Sequence, residues 1–306
     1  RVEVVRGASS ILYGSDALGG AINVISKPAP TTGVDAFEVG GSASTQYYTN
    51  NNERAVSLDL SAAQGNVGWR VGAERRIAGN YHTPDASTFF EENPDTGTFG
   101  DPKYTGEVPF TNFEQWSTYG QVGLQGAFGT LQLYGDYWSN AQNFLLPTGG
   151  PDDDNPTSPP PNGLGQNLEH SNVVLKGNVV ADGFVFKPRL SWQRSIRQSG
   201  APGTNLGDIR DGGGLARFDY PLDLKTDIYT GRLEVAHPSI GNLSGTIGAE
   251  VQHQDADTRG PAELQPSART WNTGVFFFED LDLDPITVSF GSRLDVRTVE
   301  AVPNDR

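Results

Sequence analysis

The side chains best suited to bind a metal or a ligand lie in polar stretches between the regular parts of the chain. Asp152, Asp153 and Asp154 stand together in the segment P-D-D-D-N-P, and carboxylate oxygens are the ligands that Ca²⁺ prefers. His82 lies in another long polar stretch, where its imidazole could contact a metal or a ligand. A flexible proline-rich loop and an incidental histidine are the simpler interpretations. The sequence therefore indicates no resident metal or cofactor, and at most Ca²⁺ in these loops.

Familiar catalytic motifs do not occur in the sequence. Asp280, Asp282 and Asp284 resemble the start of an EF-hand loop, but Pro285 replaces the required glycine and Gly291 replaces the bidentate glutamate. G-x-S-x-G, H-E-x-x-H and the P-loop lysine motif are missing, and without cysteine there is no thiol nucleophile. A triad assembled from separated strands would escape such a search. We expect a protein that is not an enzyme.

The composition narrows the class of protein and its partners. The 306 residues include 22 Lys and Arg against 37 Asp and Glu, a net charge of −15. A nucleic-acid backbone would be repelled by most of this surface, which excludes nucleic acid as a partner. No stretch approaches the roughly 18 uncharged apolar residues of a membrane-spanning helix. A transmembrane barrel stays possible, because its strands carry apolar side chains only at alternate positions.

Alternating apolar and polar residues predict a long series of β-strands. In one run, Val67, Trp69 and Val71 share one face, while Arg70 and Glu74 lie on the other. Each run is about as long as the 9 to 11 residues that a tilted strand needs to cross a bilayer, or a little longer. We predict eleven strands, at residues 35 to 46, 53 to 64, 67 to 79, 115 to 126, 130 to 143, 169 to 180, 184 to 197, 226 to 237, 243 to 257, 270 to 281 and 286 to 300.

The connections between these runs alternate between tight turns and long loops. Because consecutive antiparallel strands reverse direction, this alternation places all tight turns at one end of the sheet and the loops at the other. Outer-membrane barrels have this arrangement, whereas alternation of side chains alone would also fit a soluble β-sandwich. The turns lie at 65 to 68, 127 to 130, 181 to 183, 239 to 242 and 282 to 285, the loops at 80 to 114, 144 to 168, 198 to 225 and 258 to 269, and only the connection at 47 to 52 departs from the pattern.

The tryptophans agree with a barrel in a membrane. Trp116, Trp192 and Trp271 fall at the loop ends of their strands, and Trp69 falls near a turn end. Aromatic residues form such girdles where a barrel meets the two membrane–water interfaces. Trp138 has the opposite parity from the apolar residues of its strand, so it should point inward. Core tryptophans of a sandwich are the alternative interpretation.

The first 27 residues differ in character from the rest of the chain. Two short strands are predicted near Val2 to Val5 and Ala21 to Ile25, and the chain between them is punctuated by glycines that suit tight turns. The following segment K-P-A-P-T-T-G is typical of a stiff linker. We therefore place a boundary near residue 30, and since the chain starts with Arg1 inside a strand, we expect it to be a fragment.

This opening stretch resembles the C-terminal part of the plug domain of TonB-dependent outer-membrane receptors. The resemblance depends on R-V-E-V-V-R-G at 1 to 7, Y-G at 13 and 14, A-L-G-G-A-I-N-V-I at 17 to 25 and the closing Lys27. It implies an all-β fold: a 22-stranded transmembrane antiparallel barrel closed by a plug. This chain would hold the end of the plug, residues 1 to 30, and about eleven of the 22 strands, residues 31 to 306.

The resemblance also implies roles for single residues. Arg6 would help to hold the plug against glutamates of the barrel wall, although a guanidinium that simply faces water in the lumen is the alternative. Asn23 would bridge backbone groups between plug strands. The remaining residues of the plug motif would serve its fold and gating: Gly7, Tyr13, Gly14, Gly19 and Gly20.

The implied function is import of a scarce nutrient across the outer membrane of a Gram-negative bacterium, with a ferric siderophore first and cobalamin or haem next. The implied partners are the ligand, outer-membrane lipid and the TonB–ExbB–ExbD complex, which would pull on a TonB box upstream of Arg1. An oligosaccharide importer is an alternative within the family. Outside it, the alternative is a secreted β-sandwich or adhesin that binds glycans.

Overall fold

The residues that the computed structural model describes form thirteen strands in two antiparallel sheets. Strands β1 (Val2–Arg6) and β2 (Gly20–Val24) form a small two-stranded sheet. The other eleven form one continuous sheet in strict sequence order from β3 to β13. The structure describes residues 2–6, 11, 20–25, 27–33, 36–83, 106–107, 111–147, 163–203, 222–261 and 265–303.

The eleven predicted strands are all present and pair only with their sequence neighbours. This confirms the predicted all-β fold with one long meander. The strands are β3 (Phe37–Tyr48), β4 (Glu53–Gln64), β5 (Val67–Ala78), β6 (Phe113–Gly126), β7 (Gly129–Pro147), β8 (Gly163–Ala181), β9 (Phe184–Gly203), β10 (Leu222–Ala236), β11 (Leu243–Thr258), β12 (Ser267–Asp282) and β13 (Thr287–Val302).

Tight turns set the register of the strand pairs. Between β8 and β9 the two-residue turn Asp182–Gly183 has positive φ at both residues, 50° and 82°. This is the geometry of a type I′ turn, which suits the twist of a hairpin and favours Asp-Gly. Ala181 and Phe184 pair across it, and the later pairs follow by counting outward from the turn as far as Gln166 and Ser199, beyond which the register shifts by one residue.

Several strands extend beyond their predicted bounds, mainly at the loop end of the sheet. We predicted that β7 ends at 143, that β8 begins at 169 and that β9 ends at 197, whereas the strands run to Pro147, from Gly163 and to Gly203. In β8 and β9 most of the extra residues are polar or small, whereas β7 gains the consecutive residues Phe144, Leu145, Leu146 and Pro147, so none of the three extensions alternates. The backbone ladder continues there, but the apolar pattern by which strands are recognised has ended.

The large sheet is a single layer with two unlike faces. We call the side that carries residues such as Leu58, Val71 and Leu233 the apolar face, and these side chains are exposed. The opposite side is the polar face. Among the described residues no second sheet or helix covers the apolar face, so the β-sandwich alternative is not favoured. The described part of the chain contains no helix long and apolar enough to cross a bilayer.

Candidate functional site

Residues 27 to 33, at the end of the opening segment (residues 1 to 33), lie against the polar face of the sheet. Here Gln121 on β6 donates a side-chain hydrogen bond to the carbonyl oxygen of Lys27 at 2.8 Å. Thr31 donates to the side chain of Gln125 at 2.7 Å. The backbone amide of Thr32 donates to the carbonyl of Gly65 in the β4–β5 turn at 3.1 Å. These bonds fasten the segment at the turn end of β4 to β6.

Two glycines make room for this contact. A Cβ at Gly68 would collide with the carbonyl oxygen of Pro30, and a Cβ at Gly123 would come within 2.9 Å of the methyl group of Ala29. Ala29 is 8% exposed, so the segment packs closely on the wall. On the same polar face, at the far edge of the sheet, Ile11 of the opening segment lies against Gly291 on β13.

A charged cluster lies on the polar face of β4, β5 and β6. Arg70 donates two hydrogen bonds to the carboxylate of Asp59, from Nη2 at 2.6 Å and from Nε at 2.9 Å. The Tyr119 hydroxyl donates to the same carboxylate. Gly72 lies in register with Asp59 and Tyr119, and the Tyr119 ring fills the space that a side chain there would need. Two bonds from one guanidinium to one carboxylate form a strong, geometrically specific pair that connects β4 to β5.

A second cluster connects β10 to β13 on the same face. Glu250 accepts hydrogen bonds from Arg232 at 3.0 Å and from Arg293 at 3.3 Å. The Phe276 ring, 4% exposed, lies against both guanidinium groups, at 4.6 and 5.3 Å from its centroid. Gly248 is required because a Cβ there would meet this ring. Two cations therefore share one carboxylate and one aromatic ring.

The apolar face carries aromatic side chains near the loop end of the sheet. Tyr229, His253 and Trp271 stack in sequence, with the last two ring centroids 4.2 Å apart. Trp192 is in register with Tyr229 and donates from Nε1 to Asp227 at 3.1 Å. His253 also lies with Nε2 3.1 Å from the carboxylate of Asp255, so this aromatic row borders polar groups. This is the placement expected of an interfacial girdle.

Trp69 and Trp116 also lie on this face, and Trp138 lies on the polar face, as its parity predicts.

The turn end of the apolar face contains a histidine with a shifted pKa. In the turn after β10, His237 contacts the carbonyl oxygen of Pro238 through Nδ1 at 2.8 Å and the carboxylate of Glu279 through Nε2 at 3.0 Å. The hydrogen bond to Pro238, followed by that to Glu279, raises the pKa of His237 above its usual value, because both favour the doubly protonated ring.

The predicted plug residues that the structure describes lie in the small hairpin. Arg6 pairs with Gly20 and Glu3 pairs with Asn23 in the β1–β2 ladder. Gly20 has a φ of 135°, a conformation that L side chains rarely adopt, which explains a glycine at this position. The other residues of the motif lie outside the described residues: Gly7, Tyr13, Gly14 and Gly19.

Of the ligand-binding residues predicted in the loops, the structure describes one. His82 is described, and it joins the long loop to the β3–β4 turn: its backbone amide donates to the side chain of Asn50, and its Nδ1 lies 2.8 Å from the Asn50 carbonyl oxygen. It also forms a β-bridge with Glu107. These contacts point to a role in loop anchoring. Asp152, Asp153 and Asp154 lie outside the described residues. In the part of the chain that is described, no three His, Asp or Glu side chains are grouped to hold a metal ion.

The charged clusters of the polar face are not apparent from motifs. Arg70 and Glu250 were placed on the polar side by their parity, but their partners lie on other strands. The tight β4–β5 turn pairs Gln64 with Val67, and counting back from it brings Asp59 next to Gly72. Register counted from such turns is the signal that could have located these clusters.

Solved structures of outer-membrane receptors share this architecture. The chain is similar to the siderophore receptor PirA from Pseudomonas aeruginosa, with a TM-score of 0.63, 13% identity and coverage of 97% of this chain and 43% of that one. It is similar to the copper transporter OprC, with a TM-score of 0.66, 14% identity and coverage of 98% and 43%. It is also similar to the FrpB iron transporter from Neisseria meningitidis, with a TM-score of 0.64, 15% identity and coverage of 97% and 46%.

The extent of the match agrees with the strand count. The chain spans less than half the length of each of these receptors. No protein-family model matches the sequence, and no curated protein matches it either. The likeness therefore lies in the fold: the eleven consecutive antiparallel strands match the partial barrel of TonB-dependent outer-membrane receptors in architecture.

Proposed function

We propose that this chain is part of a TonB-dependent receptor that imports a scarce nutrient across the outer membrane of a Gram-negative bacterium. The observation that carries the proposal is the position of the opening segment, which is hydrogen-bonded to the polar face of a one-layer sheet whose other face is apolar. An apolar face without a covering layer suits hydrocarbon, and an occluded polar face suits a gated channel.

The proposed mechanism is binding and gating. Residues 1 to 30 would act as the end of the plug and residues 31 to 306 as the first half of the barrel. The described attachment near Lys27 to Thr32 consists of a few hydrogen bonds, each worth about 0.5–1.5 kcal/mol net. Such an attachment holds the plug at rest and can be disturbed by force. The TonB–ExbB–ExbD complex would supply that force from the periplasmic side.

Ferric siderophore is the first proposed cargo, with cobalamin or haem next. The structural neighbours include receptors named for siderophores, iron and copper, so the fold alone leaves the cargo open. Arg6, Asn23 and the motif glycines would serve the plug. Residues of the loops, with His82 and Asp152 to Asp154 as candidates, would contact the cargo on the outer side, and Ca²⁺ in these loops belongs to the same proposal.

The location and the energy source can be tested together in the host bacterium. The full-length protein should fractionate with the outer membrane and should migrate faster on gels before boiling than after. Deleting its gene should slow growth when iron is limiting, and a TonB-deficient strain should show the same defect. A protein recovered in soluble form without detergent, or growth unaffected by either iron or vitamin limitation, would contradict the proposal.

The loop after β5 offers a second test. Removing residues 84 to 105 leaves the anchors His82 and Glu107 in place. We expect this deletion to weaken capture of cargo by cells while membrane insertion and heat-modifiable migration stay normal. A matched variant, His82→Ala, should loosen the loop and have a smaller effect. Unchanged cargo affinity in the deletion variant would show that this loop takes no part in capture.

A further inference from the structure

Three cations on β8 and β9 project from the polar face without a carboxylate partner among the described residues. Lys176 and Arg189 lie directly opposite each other in the β8–β9 ladder, and Lys187 is two residues from Arg189 on the same face. We call these three residues the cation row. Like charges in direct cross-strand positions are unfavourable unless something lies between them.

The neighbouring strands show that the lack of partners is local. Arg232 on β10 is in register with Arg189, but it bonds to Glu234 at 2.8 Å and to Glu250 at 3.0 Å. Both nearby carboxylates are therefore engaged by Arg232, and Glu250 also by Arg293. In a chain with a net charge of −15, a patch with this charge imbalance is unusual.

The cation row lines a concavity of about 660 Å³ in the polar face. Its lining includes the four cations Lys176, Lys187, Arg189 and Arg232 and only two carboxylates, Glu234 and Glu250. Neutral donors such as Gln132 and Ser191 complete the wall. A concave site with excess positive charge and a low-dielectric wall behind it focuses the field and attracts anions.

We propose that the cation row is an anion-binding site for oxyanion groups, carboxylate or phosphate-like, on the wall of the channel. A planar guanidinium and two ammonium groups can together donate several charge-assisted hydrogen bonds to such a group. If the chain is the importer proposed above, the cargo that passes this wall carries negatively charged oxygens. A bare metal cation such as copper would be repelled here.

The test uses the full-length protein in detergent, with inorganic phosphate as the probe and ³¹P NMR titration as the measurement. Wild-type protein should bind phosphate, and the double variant Lys176→Gln with Arg189→Gln should bind it about tenfold or more weakly. The matched control is Arg197→Gln with Arg297→Gln, which removes the same charge from the same face elsewhere and should bind as the wild type does. Equal binding by the two double variants, or no binding by the wild type, would overturn the site.

Uptake measurements separate this inference from the proposed function. In cells, the Lys176→Gln and Arg189→Gln variant should capture cargo at the surface normally but import it several times more slowly than the Arg197→Gln and Arg297→Gln control. If the wild type imports nothing, the transport proposal fails, while the phosphate titration still decides the anion site. If phosphate binds but uptake is the same in both variants, the site does not act on the cargo and the cargo part of the inference is wrong.

Discussion

The two faces of the sheet are built on different principles although they share every strand. On the apolar face, side chains such as Val71 and Leu175 stay exposed and make few specific contacts. On the polar face, charged side chains form clusters through specific hydrogen bonds, such as those from Arg70 to Asp59. The apolar face suits lipid hydrocarbon, which accommodates any apolar side chain. The polar face needs particular partners, so a substitution should have different consequences on the two faces.

The largest expected effect comes from placing a charge on the apolar face. Leu233→Arg should destabilise the full-length protein in lipid vesicles by about 2–4 kcal/mol, the cost reported for a cation near the bilayer midplane. Urea unfolding followed by tryptophan fluorescence measures this. Thr246→Arg, one strand away on the polar face, is the control and should change stability much less. Equal loss in both variants would show that the faces are not distinguished by hydrocarbon.

Next in size is the loss of the carboxylate in the β4–β6 cluster. Asp59→Ala leaves Arg70, whose side chain is 18% exposed, without its main partner and should cost about 1–3 kcal/mol in free energy of unfolding. Arg269→Ala breaks the exposed contact with Asp255 at 3.4 Å and should cost at most about 1 kcal/mol. The same unfolding assay compares them. A difference near zero between the two variants would mean that the polar-face cluster adds no more stability than an exposed ion pair.

A smaller and local effect is expected where the opening segment meets the wall. Gly68→Ala brings a methyl group into the carbonyl of Pro30 and should loosen residues 27 to 33. Amide exchange of Thr32, which bonds to Gly65, should become about tenfold faster, corresponding to about 1.4 kcal/mol. Gly231→Ala, whose added Cβ would have only ordinary contact with Leu190 at 3.6 Å, should leave that exchange unchanged. Equal rates in both variants would argue against docking of the segment.

The smallest effect concerns pH. Because the pKa of His237 is raised in the folded protein, its contacts with Pro238 and Glu279 stabilise the fold fully below the unfolded pKa of about 6.5. This contribution is lost as the pH rises through the folded pKa. Unfolding measured from pH 5.5 to 8.5 should show stability declining across that window, and His237→Gln should flatten the decline. An identical pH dependence in the variant would rule out this histidine as the cause.

Much of the architecture followed from residue order. Alternation located all eleven strands, and the rhythm of turns and loops predicted which ends lie together. Strand ends were less predictable: β7 to β9 extend four to six residues further, because the alternation of apolar and polar residues stops before the backbone ladder does. The role of His82 as a ligand candidate stays a prediction, and what the sequence did not indicate is the contact of its backbone and ring with Asn50.

Local pattern and turn chemistry were enough to specify strands, parity and the opening motif, because each depends on neighbours within a few residues. Contacts between residues on different strands could not be predicted in this way. The Asp59–Arg70–Tyr119 cluster spans 60 residues. Among the described residues, Lys176 and Arg189 have no carboxylate partner because Glu234 and Glu250 on the neighbouring strands bond to Arg232 instead. Alternation assigns a side chain to a face, but only the packed sheet selects its partner, since that choice depends on register accumulated over many strands.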